Sequence, residues 1–389
     1  MTWADGRKVR GGTPPELVVP GIAVMHHPRR ADVLPGLLSG CAPLSVTVVE
    51  DPDPGGPPSP LRTAKRAWAA VGETTHHVVI QDDAVLTSDF ASSLLDVIRA
   101  KPRHAVALYV NWDAPENSFL VRRAAVLGVP WAPLSSREYT PALGLVLPSD
   151  LARELAAFLA AFPDDARDDD ELIRVFCRDR GVRVIAAVPH LLDHGDLVSV
   201  TGNDFHGVRR GAVPGSATSL RVGHWLEGEQ VVRRLDSAAE FDGRLDFAVS
   251  FTASCALLRF PRAGASEPHF HPFGWYWQDW CGLLGVDAGE IRAMAERAFG
   301  RPGPGPQRVA GEYGAACWLL GFDAGRRTGI GELPGQGHRN ELGRAAVASW
   351  LGAGLCGGDR VLGDAEKAAL VDAGLAAVRD GLLRGSGRG

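Results

Sequence analysis

Residues 75–90 read THHVVIQDDAVLTSDF, and their punctuation sets the fold. The run His77–Ile80 has the length and β-branched content of a short strand buried on both faces. It stops on Gln81 and two adjacent carboxylates, Asp82 and Asp83. Phe90–Ala100 then repeats its apolar residues with a helical period. The alternation extends in both directions. Upstream, Leu17–Met25 and Ser45–Glu50 read as strands, Arg30–Ser39 and Leu61–Val71 as helices, and Asp51–Pro60 as a Pro/Gly loop. Downstream, Ala105–Val110, Leu143–Leu147 and Val182–Val188 read as strands, with Asp150–Phe162 and Asp170–Arg180 as helices. This predicts an α/β fold, a mostly parallel, Rossmann-like sheet wrapped by helices.

In such sheets ligands bind beyond the carboxyl ends of the strands. Three successive strands end in polar groups: His26-His27-Pro28-Arg29-Arg30, Glu50-Asp51-Pro52 and Gln81-Asp82-Asp83. They suit a nucleotide, with cations such as His27 and Arg29 for phosphates and carboxylates for ribose hydroxyls or a metal. Two adjacent carboxylates repel unless water or a cation compensates. Mg²⁺ or Mn²⁺ fits, and would bridge to a diphosphate. Against this, Asp82 and Asp83 also suit the positive end of a following helix.

The segment after Val188 reads PHLLDHGD. His190 and His194, beside Asp193 and Asp196, can complete a metal site or be ordinary loop residues. Asp168, Asp169, Asp170 and Glu171 open a predicted helix. They either match its dipole or include a general base, Asp170 first and Asp169 next to it. The loop between Asn111 and Tyr139 contains Trp112, Phe119, Trp131 and Tyr139, which are sugar platforms or core anchors.

Composition narrows the field. The chain has 389 residues with 45% hydrophobic and 22% charged, which excludes wholesale disorder and gives enough length for a sizeable core. A net charge of −5 removes any default expectation of a nucleic-acid partner or a polybasic membrane patch. No apolar run reaches the roughly 18 residues of a membrane span. No two of the six cysteines form a CxxC pair, so reduced, buried thiols are expected. The cytoplasm is the expected location.

From about residue 21 to 203 the chain resembles DXD-type glycosyltransferases of the GT-A fold, similar to family 25 and related actinobacterial and phage proteins. The segments that carry the resemblance are HHPRR, VVEDP, RTAKRAW, HHVVIQDDA, DDDELIRVFCRDRG and PHLLDHGDLVSVTGN, in that order. Gln81 stands where the motif has its first acid. The resemblance implies a metal-dependent transferase moving a sugar from a nucleoside-diphosphate sugar to an unspecified acceptor. By it, Asp83 binds Mn²⁺ or Mg²⁺, with His194 or alternatively His190 as the ligand from the far side. Asp82 supports the donor sugar or ribose, and Asp51 the base or ribose. Arg29, Arg62 and Lys65 contact the donor or its phosphates. A solvated surface role is the competing assignment for each cation.

The expected organisation is a leader over 1–18, a GT-A-like catalytic domain over 19–205 and an accessory α+β module over 216–389. The boundary falls near the turn-rich run Gly202–Gly215. The module is expected to be looser, because glycine is denser there. It chooses the acceptor or mediates assembly, which leaves a homo-oligomer open. Leu245–Phe260 suggests strands there, and Glu290–Phe299, Gly343–Leu351 and Asp364–Leu383 helices. His269 and His271 are either half of a cupin-type metal site or part of an aromatic wall. Two rivals stand beside the transferase. A nucleotidyltransferase wants a Gly-rich loop after the first strand, which HHPRR lacks. A non-catalytic nucleotide-binding or scaffold protein with a decayed DXD site is favoured by Gln81.

Overall fold

The computed structural model describes residues 17–166, 168–200, 207–215, 220, 222–262, 271–299, 306–335 and 337–388. Of the expected leader, only 17 and 18 fall within it. Residues 201–206 of the expected boundary, and His269, lie outside the described residues.

In chain order the first half runs β1 (Pro20–His26), α1 (Leu34–Cys41), β2 (Val46–Glu50), α2 (Pro60–Ala69), β3 (His76–Gln81), β4 (Ala84–Leu86), α3 (Phe90–Ala100), β5 (Ala105–Ala107), α4 (Asn117–Val126), β6 (Trp131–Pro133), β7 (Gly144–Pro148), α5 (Ser149–Ala160), α6 (Asp169–Asp179), β8 (Val184–Ala187) and β9 (Leu192–His194). The second half runs α7 (Glu229–Ala239), β10 (Ala248–Thr252), β11 (Cys255–Arg259), β12 (Trp275–Tyr276), α8 (Trp277–Trp280), α9 (Ala288–Phe299), α10 (Pro306–Thr328), α11 (His338–Gly354) and α12 (Asp364–Gly385).

The main sheet has the order β2-β1-β3-β7-β5-β8-β6. Strands β1, β2, β3, β5 and β8 run one way, while β6 and β7 oppose them. The sheet is therefore mixed, mostly parallel and flanked by helices. Strand β1 pairs with both β2 and β3 in parallel, with Met25 beside Gln81 and His26 beside Glu50. The polar tails of all three strands thus leave the sheet at one edge. Strand β4 pairs antiparallel with β9, which sets Ala84 opposite His194. Helix α2 starts where it does because the Ser59 hydroxyl accepts from the Arg62 N–H and Pro60 needs no amide partner.

The stretch 111–139 departs from its reading as a loop. It contains α4, buried along its whole length, and β6. Phe119 and Trp131 are core residues. The helix has no polar face to betray it, and its two arginines read as surface in the sequence. Both are buried. Arg122 donates from Nε to the Ala346 carbonyl at 3.1 Å, and from Nη2 to the Trp112 carbonyl at 2.8 Å. Arg123 pairs with Asp323 of α10 at 2.7 Å.

Helices α10 and α12 pack along a glycine seam. A Cβ at Gly321 would strike the Val378 carbonyl oxygen, one at Gly325 that of Leu382, one at Gly381 that of Trp318 and one at Gly385 that of Phe322. Each pair of glycines is four residues apart and shares a helix face. High glycine content, expected to mean looseness, here permits close backbone approach. The six cysteines are all free thiols, four of them buried.

The Asp323 carboxylate also accepts from Arg326 Nε and Arg327 Nε, each at 2.9 Å. Burial alone raises its pKa; Arg327, Arg123 and Arg326 reverse this and bring it down to about 2. An unfolded aspartate titrates near 4. The stabilisation is therefore complete above about pH 4 and is lost as pH falls through about 2. Asp323→Asn leaves the buried Arg123 guanidinium without its carboxylate, and urea denaturation at pH 7 should show a loss of about 3–5 kcal/mol. The variant's stability should also fall less steeply below pH 4 than the parent's.

Candidate functional site

A cavity of about 380 Å³ opens where β1, β2 and β3 end. Its wall includes His27, Arg29 and Arg30 after β1, Asp51 after β2, and Gln81, Asp82 and Asp83 after β3. Arg62 of α2, Asp168 to Asp170 at the start of α6, and Arg209 complete it. Segments distant in sequence meet here because the parallel strands end together and α6 points its first turn at the same edge.

The acidic pair is held by a cation from within the chain. Arg30 Nη1 lies 2.8 Å from Asp82 Oδ1 and 2.8 Å from Asp83 Oδ2, and Nη2 donates to the Val198 carbonyl. Burial opposes the charge on Arg30, but Asp83 and Asp82 outweigh it and hold its pKa above the ordinary value. Asp82 is saturated, because Oδ2 also accepts from the His27 amide at 2.7 Å and contacts His26 Nδ1 at 3.1 Å. It works as a brace between β1 and β3. The sequence reading sought an external ion for the pair; the neighbouring strand supplies a guanidinium.

Asp83 faces a second neighbour. His194 Nδ1 lies 2.7 Å from the Gly195 carbonyl, which can only accept, so Nδ1 carries the proton. Burial lowers the His194 pKa further than Asp83 restores it, so the ring is neutral. Its Nε2 lone pair then lies 3.4 Å from Asp83 Oδ2. Two acceptors face each other, and Asp83 Oδ1 is buried without a hydrogen-bond partner among the described residues. An electron-pair acceptor fits between or beside them. Among the described residues, no group of three or more His, Cys, Asp or Glu side chains is arranged to hold a metal. Asp83 and His194 are thus two donors, and an ion held there would draw its remaining ligands from substrate oxygens and water.

His190 does not reach the cavity. Its Nδ1 lies 2.9 Å from the Ala187 carbonyl, its ring packs beside Tyr109, and burial pushes its pKa down to about 4. It is a neutral core histidine. Lys65 also lies outside the lining. Its ammonium contacts the Phe162 carbonyl and pairs with Asp164 at 2.8 Å. With Ser59, whose hydroxyl donates to the Asp164 carbonyl, it ties the α5–α6 connection to α2. Arg62 lines the cavity but is spent on Asp51, at 2.8 and 3.0 Å, and on the Pro57 and Asp53 carbonyls. Burial raises the Asp51 carboxyl, and Arg62 with the Asp53 amide more than offsets this. The pair orders the 51–59 loop that walls the cavity.

That leaves Arg29 and Arg209 as lining guanidinium groups with no ion pair among the described residues. Arg209 escaped the sequence reading because it lies in a turn-rich run with no strand or helix to index it. Also in the wall, Asp168 occupies the N-cap of α6 yet makes no capping hydrogen bond. Asp169 is 4% exposed, and its Oδ2 has no partner among the described residues. Burial raises the carboxyls of Asp169 and Asp170 above the usual range, and repulsion within the acidic run adds to the shift.

No family model and no curated protein sequence matches the chain. Among solved structures it is similar to S. aureus TarS 1-349 in complex with UDP-GlcNAc, at 11% identity and a TM-score of 0.30, over 86% of this chain and 90% of that one. A likeness at that TM-score carries no weight for function.

Arg30→Gln should cost about 3–5 kcal/mol in urea denaturation, because two buried carboxylates lose their cation. Combining it with Asp83→Asn should return part of that loss, a coupling of about 0.5–3 kcal/mol in a double-mutant cycle. Additive effects would mean that the bridge contributes nothing.

Proposed function

We propose that the protein transfers a sugar from a nucleoside-diphosphate sugar to an acceptor nucleophile, in a reaction assisted by Mn²⁺ or Mg²⁺. The observation that supports this reading is the division of one cavity. Arg29, Arg209 and Asp83, with His194 behind Asp83, make up one part of the wall, and Asp168 to Asp170, which form no ion pair among the described residues, make up another.

On the donor side, Asp51 and the ordered 51–59 loop face the nucleoside, with His27 near the phosphates. Arg29 and Arg209 balance the leaving diphosphate, and charge stabilisation of this kind lowers the barrier most in a partly buried site. Asp83 and His194 would hold the divalent ion, which when bound neutralises the leaving diphosphate as a Lewis acid. On the acceptor side, Asp170 takes the proton from the attacking group, with Asp169 beside it. A carboxyl whose pKa is raised toward the working pH is a better base than an ordinary aspartate. Lys65 acts at one remove, through the loop that presents α6.

The test is release of nucleoside diphosphate from a panel of nucleotide-sugars with Mn²⁺, Mg²⁺ or EDTA, with pyrophosphate followed alongside. Asp83→Asn should keep the fold and cut turnover by at least about 100-fold. Asp170→Asn should do the same through loss of the base. The base is active when deprotonated, so turnover should rise with pH as Asp170 ionises. Asp168→Asn removes a repelling neighbour and should move that rise to lower pH. If no nucleoside diphosphate shifts the melting temperature with or without Mn²⁺, the reading fails.

A further inference from the structure

The corner formed by Asp168, Asp169 and Asp170 gathers three carboxyl groups at the start of one helix. None of the three forms an ion pair with Lys or Arg among the described residues; the nearest acid in sequence, Glu171, takes Arg174 at 3.0 Å. A helix N-terminus offers the equivalent of roughly half a positive charge, which answers at most one of them. The second observation is Asp169 itself, 4% exposed and in the cavity wall, with Oδ2 unpartnered among the described residues. An unpaired buried carboxylate oxygen is costly unless a proton or a ligand completes it. Elsewhere on the same wall the chain spends guanidinium groups freely, Arg30 on Asp82 and Asp83, Arg62 on Asp51. The acidic corner is left for something that enters.

We infer that this corner is an ammonium subsite, and that the acceptor carries a protonated amine beside the group it gives up. Naming the molecule an acceptor rests on the transferase reading; the subsite itself does not. Neutral hydroxyls can hydrogen-bond to these carboxylates but leave their charge standing. An ammonium supplies three donors and the missing positive charge, through hydrogen bonds about twice as strong as neutral ones.

Calorimetric titration of the full chain with glucosamine, N-acetylglucosamine and glucose, each with and without saturating UDP, tests the inference. Glucosamine should bind about tenfold or more tightly than the other two, a difference of about 1.4 kcal/mol. Asp168→Asn should weaken glucosamine toward the level of glucose and leave UDP binding unchanged. Asp168 makes no capping bond, so this variant should fold; Asp169→Asn provides the buried counterpart. Equal binding of the three sugars, or a glucosamine preference that survives both substitutions, would overturn the subsite. Failure of UDP to bind, with the glucosamine preference intact and lost in the variants, would overturn the donor reading and keep the subsite.

Discussion

One guanidinium decides what the strand ends can be. Arg30 reaches from the turn after β1 to both carboxylates after β3, and its second nitrogen reaches the segment after β9. Without it, two adjacent buried carboxylates would stand unneutralised at the end of β3, beside the cavity. With it, Asp82 becomes a brace and Asp83 keeps one oxygen in reserve. Parallel pairing of β1 and β3 makes this possible, since it brings residues 52 and 53 positions apart to the same edge.

The cavity inherits its polarity from that arrangement. Cations already spent on structure shape its wall, and those left over face the space between. The same economy operates at α6, where Lys65 and Ser59 fix the approach to the helix and leave its first turn unsatisfied. Charges that stabilise the fold and charges available to a ligand are therefore different residues, a few ångströms apart.

Much of the sheet was legible because its strands are short β-branched runs ending in polar clusters, as Val78–Ile80 before Gln81 illustrates. The meeting of Asp51, Asp82 and Asp83 at one edge also followed from the strand ends, whereas it is the fold that brings Asp168 to Asp170 to the same cavity. What could not be read were pairings across the sheet. Nothing in HHPRR distinguishes Arg29, which faces the cavity, from Arg30, which is buried against two acids. Helix α4 was hidden for the opposite reason. Burial on every side removes the amphipathic period, and Arg122 and Arg123 look like solvent-facing residues until Ala346 and Asp323 are seen against them. Helix α10 has no counterpart in the sequence reading, and the glycines within GEYGAACWLLGFDAG lower its helix propensity.

Those glycines have a mechanical consequence. Helices that meet through long side chains can slide, because side chains change rotamer and absorb the shear. At Gly321, Gly325, Gly381 and Gly385 there is nothing to rearrange, since backbone lies against backbone. The α10–α12 pair is a stiff beam, and Asp323 of that beam grips Arg123 of α4 beside the sheet. The 51–59 loop and the segment after β9 have no such seam and are each held through a guanidinium group, Arg62 and Arg30. Both border the cavity, so an incoming ligand meets walls held by side chains rather than by a backbone seam.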